Sequence, residues 1–288
     1  MINLNGHLLH PGAPEISLLN RSFLFGDGLY ESIRIFNGLP LFFSEHYRRL
    51  EKGMHLLGFT FPQETFKETL RENLAKSMHA NGIDKHGRVK IHIFRAGTGA
   101  YKPLDNQPYF LLEAYSLKDD YFDFRNPRAV KLKDYKEIPL AFGLLSGLRT
   151  ASALPYIMAA QFAEAHQVDD VVLFSSQGYV AETSQANIFA IRKKQIYTPS
   201  LQTGCINGIL RNQVIRLCDR LKLPLTEKKF SSTFLRRCEE VFLVDTLTGI
   251  SRVDQYNKHT YPTQSATLVP FLRKCLYEYL QTLFGDKV

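Results

Sequence analysis

Residues 180–189 read Val180-Ala181-Glu182-Thr183-Ser184-Gln185-Ala186-Asn187-Ile188-Phe189. Two short apolar runs flank a polar turn, and a single carboxylate closes the first run. Short β-rich runs bounded by turn residues read as paired strands. The pattern continues on both sides. Asp170 to Phe174 and Tyr179 to Glu182 form strands before the turn, and Asn187 to Ile191 and Gln195 to Tyr197 follow it. Ile209 to Leu221 then changes to helical spacing, with Leu210, Val214, Leu217, Cys218 and Leu221 on one stripe. A strand over Val241 to Val244 and a helix near Leu268 to Leu283 follow. Upstream, a strand opens near Ala129 to Lys133, and an alanine-rich stretch from about Thr150 to Ala165 predicts a helix.

The first part of the chain alternates in the same way. Leu29 to Phe36 is a strand, Asn37-Gly38 is the dipeptide of a tight hairpin turn, and Leu39 to Phe43 returns as its partner. Ser44 is placed to cap a helix bearing Tyr47, Leu50, Met54 and Leu57. A second helix starts near Pro62 and carries Phe66, Leu70, Leu74 and Met78. Val89, Ile91 and Ile93 alternate as a strand, and Tyr109 to Tyr115 is another. The fold class is therefore α/β (α+β). Periodicity disappears where charges and a proline collect, so the expected organisation is residues 1–117, a linker over 118–128, and a larger domain over 129–288.

Composition narrows the function. The 288 residues are 44% apolar and 22% charged, the balance of a soluble globular protein. No stretch has the apolar length of a membrane span, and Met1-Ile2-Asn3-Leu4-Asn5-Gly6 lacks a signal-peptide build. The expectation is a cytoplasmic protein that binds neither membrane nor nucleic acid. The formal charge of +8 is dispersed and forms no stripe. Cys205, Cys218, Cys238 and Cys275 are too far apart for a CxxC pair and read as small buried or half-buried thiols.

Three features could carry chemistry. Gly208 stands where a loop becomes the Ile209 helix, and a helix start offers unpaired N–H groups to a phosphate. Thr246 follows the strand at Val241 to Val244, in a loop whose hydroxyl and N–H groups also suit a phosphate. Glu182, at a strand end, could hold a pyridine nitrogen in its protonated state. Taken singly, these are a capped helix, a polar turn and a surface glutamate. Gly26-Asp27-Gly28 and Gly97-Thr98-Gly99 lack the third glycine or the helix of a dinucleotide loop.

In combination they are far more specific. The string Asn20-Arg21-Ser22-Phe23-Leu24-Phe25-Gly26-Asp27-Gly28-Leu29-Tyr30-Glu31-Ser32-Ile33-Arg34 resembles the opening of fold-type IV enzymes that use pyridoxal phosphate. That family includes branched-chain and D-amino-acid aminotransferases and aminodeoxychorismate lyase. His46-Tyr47-Arg48-Arg49-Leu50 resembles its His-x-x-Arg-Leu helix, residues 180–189 its Val-x-Glu-x-x-x-x-Asn strand pair, and Gly208-Ile209-Leu210-Arg211 its phosphate turn. The likeness runs from about residue 2 to residue 280. It implies a two-domain fold-type IV architecture and pyridoxal 5'-phosphate as cofactor, with an amino acid or amino-bearing carboxylate as substrate. It also implies a homodimer whose site lies between the domains.

The resemblance assigns roles by position. Arg49 would grip the phosphate, with the N–H groups of Ile209 and Leu210 and with Thr246. Leu210 stands where the aminotransferases often carry threonine. Glu182 would hold the ring nitrogen, and Tyr30 and Arg95 would line the substrate side. The family's Schiff-base lysine aligns without a gap on Arg149 in Leu148-Arg149-Thr150-Ala151. Guanidinium stays protonated and cannot form an imine, and Lys131, Lys133 and Lys136 belong to the preceding strand. The sequence thus leaves two readings. One is an aminotransferase or lyase whose turnover Arg149 impairs. The other is a non-catalytic relative that holds pyridoxal phosphate, pyridoxamine phosphate or another phosphorylated ligand without a covalent link.

Overall fold

The computed structural model describes residues 1–12, 16–17, 19–117, 129–262 and 268–285. The expected linker, 118–128, lies outside the described residues. Two compact units emerge. The first holds the described residues up to 117 together with Leu148–Ala153, and the second holds 129–147 and 154–285.

In the first unit the elements run β1 (Ile2–Leu4), β2 (His7–Leu9), α1 (Arg21–Phe25), β3 (Gly28–Phe36), β4 (Leu39–Pro40), α2 (Phe43–Leu56), α3 (Gln63–Ala80), β5 (Gly87–Arg95) and β6 (Pro108–Ser116). The strands form one antiparallel sheet in the order β2-β1-β6-β5-β3-β4. Alternate residues of the three long strands share a buried apolar cluster: Leu29, Ile33 and Ile35, then Val89, Ile91 and Ile93, then Phe110, Leu112 and Ala114. Tyr47, Leu50 and Met54 of α2 and Phe66, Leu70, Leu74 and Met78 of α3 complete that cluster, which is why those helices keep a 3.6-residue apolar period.

The hairpin at Asn37-Gly38 has both residues at positive φ, 49° and 73°, as a two-residue primed turn requires. Its return strand is shorter than the expected Leu39 to Phe43. It ends at Pro40, because Phe42 adopts φ 53° and starts α2 with no side-chain cap. Ser44 therefore lies inside the helix. Burial of both Phe42 and Phe43 outweighs the local preference for a hydroxyl cap.

The second unit runs β7 (Ala129–Leu140), α4 (Leu154–Ala165), β8 (Asp170–Ser175), β9 (Val180–Thr183), β10 (Asn187–Arg192), β11 (Gln195–Pro199), α5 (Ile209–Arg220), β12 (Leu225–Lys228), α6 (Ser232–Arg236), β13 (Glu240–Asp245), β14 (Gly249–Tyr256), β15 (His259–Thr260) and α7 (Leu268–Phe284). Its sheet follows β12-β11-β10-β13-β14-β7-β8-β9, with β15 on β14. Strand β8 shows why residues 171–174 are continuously apolar. Val172 and Phe174 enter one buried cluster and Val171 and Leu173 another, so both faces are covered.

The helix expected from Thr150 starts at Leu154. The residues before it are drawn to β3 instead. Leu29 and Thr150 form a bridge, Tyr30 N–H donates to the Arg149 carbonyl at 2.9 Å, and Ala151 N–H donates to the Gly28 carbonyl at 2.9 Å. Among the described residues, no helix is long and apolar enough to cross a membrane.

Candidate functional site

The expected site residues fall in both units, and each group has its own local chemistry. In the second unit Glu182 is the hub. It ends β9 opposite Leu173 of β8 and is 3% exposed. A carboxylate this deep needs donors. The Tyr156 hydroxyl of α4 donates to Oε1 at 2.8 Å, the Ile206 N–H donates to Oε2 at 3.0 Å, and the Asn187 amide donates to Oε2 at 3.3 Å. The same amide donates to the Ile206 carbonyl at 2.9 Å. Both backbone polar groups of Ile206 are thereby fixed, two residues before the N-cap of α5.

Gly208 is the N-cap of α5, with φ −62° and no side-chain cap bond. A Cβ built there would stand 1.9 Å from Asn187 Oδ1. The glycine is thus required by a side chain of the protein itself, in addition to any ligand. Helix geometry leaves the N–H groups of Ile209 and Leu210 without an intrahelical acceptor. The Leu210 side chain is buried in the core and contributes only backbone. Arg211, next in the helix, donates from Nη2 to the Pro199 carbonyl at 2.9 Å and pairs with Glu227 at 2.5 Å, anchoring the start of α5 to β11 and β12.

Thr246 lies half-buried in the β13–β14 turn. The N–H groups of Leu247 and Thr248 in that turn both donate to Asp245 Oδ1, at 2.7 and 3.0 Å. Two of the loop donors expected for a phosphate therefore already serve Asp245. Cys205, beside this network, is buried, and burial followed by the charge of Glu182 pushes its thiol up to about 12. It stays protonated, as expected of a core thiol. The residues fit a phosphorylated pyridine: an uncapped helix start, a glycine without bulk and an anchored buried carboxylate. Lys131, Lys133 and Lys136 lie on β7.

In the first unit Arg49 donates from Nε and Nη2 to Oε1 and Oε2 of Glu31, both at 2.7 Å. Glu31 also holds His46 Nδ1 at 2.7 Å. Burial raises the Glu31 pKa, but the Arg49 charge with the His46 and Arg49 hydrogen bonds outweighs it, so the carboxyl falls to about 2. Burial pushes the His46 pKa down against the pull of Glu31. The neutral imidazole then donates from Nδ1, and Nε2 is a buried acceptor with no partner among the described residues.

Arg149 Nη1 donates to the Tyr30 hydroxyl at 3.3 Å, with the guanidinium carbon 5.4 Å from the Tyr30 ring centre. Arg95, expected on the substrate side, is committed elsewhere. Its Nε donates to Asp27 at 2.9 Å, its Nη1 to Asn106 at 2.8 Å and its Nη2 to the Leu57 carbonyl, while its guanidinium lies over Phe59. With every nitrogen engaged and 4% exposure, it ties the sheet to the end of α2 and to the loop after β5. Arg21 shares Asp27 at 2.7 Å and reaches the Gly99, Ala100 and Tyr101 carbonyls. The sequence reading assigned no role to Tyr156, Glu31 or Arg21. Glu31 carried a signal, since its parity with Leu29, Ile33 and Ile35 puts a carboxylate on an apolar face. Tyr156 carried only the weak one of a hydroxyl in an alanine-rich helix.

A family model described as amino-transferase class IV matches residues 28–256. The D-alanine aminotransferase of Staphylococcus aureus (strain MW2) is 25% identical over 256 residues, covering 88% of this chain and 87% of that protein. The aminodeoxychorismate lyase of Vibrio harveyi is 26% identical over 246 residues, covering 84% of this chain and 88% of that protein. Among solved structures, the branched-chain amino acid aminotransferase of Escherichia coli gives a TM-score of 0.87 at 18% identity, covering 99% of this chain and 96% of that one. The shared fold is the one the sequence resemblance implied.

Gly208→Ala should displace Asn187 from Glu182 and Ile206. Freeing those buried partners is expected to destabilise the protein by about 1–3 kcal/mol, read as a lower denaturation midpoint in urea. A companion Asn187→Ala variant should absorb most of the Gly208→Ala effect, because the clash is then gone.

Acid should weaken the first unit in two stages. The unfolded His46 takes a proton near the ordinary histidine value of 6.5 while the folded one resists, so stability falls as pH drops below about 6.5. The folded Glu31 pKa is depressed from 4.5 to about 2, so its contribution is present above 4.5 and is lost between those values. Melting temperatures at pH 7.5 and 5.5 should differ less for His46→Gln than for the unaltered chain.

Proposed function

The chain belongs to the amino-transferase class IV family, and on that footing we propose that it binds pyridoxal 5'-phosphate, or its pyridoxamine form, without a covalent link. The observation that carries this reading is the Glu182 network, which anchors a buried carboxylate and the uncapped start of α5 through one asparagine. Glu182 would face the ring nitrogen. The Ile209 and Leu210 N–H groups, with Thr246 and Arg49, would hold the phosphate. When bound, such a cofactor supplies an electron sink for bonds to an amino carbon. Tyr30 would line the substrate side. Arg95 drops out of the substrate set because its donors are already committed.

Position 149 decides how far the activity extends. A guanidinium is not an imine-forming amine, and the three lysines on β7 would need that strand dismantled to serve. The expected substrate class remains an amino acid or an amino-bearing carboxylate, as the names of the relatives suggest. Turnover by the covalent route is expected to be absent or slow.

Borohydride treatment of the protein loaded with pyridoxal phosphate tests this directly. The expected result is a cofactor that is retained yet removed by dialysis under denaturing conditions. A reduced adduct on any lysine would overturn the non-covalent reading, and failure to retain the cofactor would overturn the cup. Arg149→Lys should gain a covalently attached, visibly absorbing cofactor.

The same reading includes a homodimer. Phe23, Tyr101 and Leu104 of the first unit are large apolar side chains 73%, 91% and 79% exposed. A second copy of the chain would cover them. Light scattering should give twice the chain mass, and Phe23→Asp should shift the population towards monomer.

A further inference from the structure

We propose that Glu31 is a positioning residue for Arg49, holding the guanidinium in one plane for capture of a phosphate group. The proposal rests on the reading of Arg49 as a phosphate ligand and deepens it.

Glu31 occupies a position that the fold alone would fill differently. It lies on β3 at the same parity as Leu29, Ile33 and Ile35, which belong to the apolar cluster, and it is 2% exposed. A buried ion pair contributes no more to stability than apolar residues of similar volume in many proteins. An isoleucine would satisfy the packing. The carboxylate is there with two partners chosen from one helix face. His46 and Arg49 are three residues apart on α2, so both side chains overhang the same stretch of β3.

The geometry of the grip indicates its use. Glu31 takes the Nε–Nη2 edge of Arg49 with two parallel bonds of 2.7 Å, which fix the plane of the guanidinium as well as its position. His46 Nδ1 reaches Oε2 at 2.7 Å. That oxygen therefore receives two donors, and the carboxylate cannot rotate away from Arg49 without leaving a buried donor unmet. An arginine held in this way loses little rotamer freedom when an anion arrives. The pairing also reduces local positive charge, so its benefit to a phosphate lies in geometry and not in attraction.

The test compares pyridoxal phosphate with pyridoxal, which lacks the phosphate, by equilibrium dialysis against the full chain. Glu31→Gln keeps the shape but turns an N–H donor towards the guanidinium. It is expected to lose roughly tenfold or more in affinity for pyridoxal phosphate while pyridoxal affinity holds. Glu31→Asp keeps the charge, which protects folding, and withdraws the carboxylate by one methylene; it should lose the phosphate preference in the same direction. A folded Glu31 variant with an unaltered preference, or one that loses both ligands equally, overturns the proposal. Arg49→Lys separates the two levels. If it leaves the preference unchanged, the reading of Arg49 fails and the proposal with it. If it lowers the preference while the Glu31 variants do not, only the positioning role fails.

Discussion

The second unit is organised around a carboxylate that is almost fully buried. Glu182 must be met by donors from the protein, and these come from α4, from β10 and from the turn before α5. The Asn187 amide that serves Glu182 also serves the Ile206 carbonyl. Its oxygen occupies the space above Gly208, where a Cβ would sit at 1.9 Å. That steric demand has an electronic result. A glycine N-cap has no side-chain oxygen to give the helix, so the first N–H groups of α5 are left for some other acceptor. Buried charge, asparagine, glycine and open helix end form a single chain of cause.

A similar logic holds in the first unit, with the signs arranged differently. Asp27 is shared by the buried Arg21 and Arg95, and Glu31 is shared by His46 and Arg49. Asp27 compensates Arg21 and Arg95, and Glu31 compensates Arg49, cations that would otherwise be stranded in an apolar setting. Arg21 and Arg95 in turn satisfy carbonyl oxygens in the loop after β5 and at the end of α2. The loop shape thus depends on buried charge as well as on Gly99, which is held at φ 115°.

Much of this was legible in residue order. The long strands β3, β5 and β6 alternate, and α3 and α5 carry clear apolar stripes, because each must bury one face. The short strands β1 and β2, of three residues each, have no room to establish a period. The start of α2 at Phe42 was hidden because a positive φ at an aromatic residue is set by tertiary burial. Residues 150–153 read as the beginning of a helix because alanine favours helices, yet Thr150 and Ala151 are claimed by β3. The commitment of Arg95 was hidden for a related reason. Whether a guanidinium is available depends on Asp27, Asn106 and Leu57, which spacing alone does not bring together.

The side chain at position 149 sits on a backbone that β3 holds in place. The Arg149 carbonyl accepts from Tyr30 N–H, so the backbone is held by β3 whatever side chain it carries. The guanidinium then lies against the Tyr30 ring and donates to its hydroxyl. A lysine at this point would offer an amine that can lose its proton and attack a carbonyl. An arginine offers a charge that persists at every physiological pH. That charge is felt locally, since Arg149 and Arg49 are both among the influences that lower the His46 pKa. Arginine at this position brings a positive charge that attracts anions and no imine-forming amine.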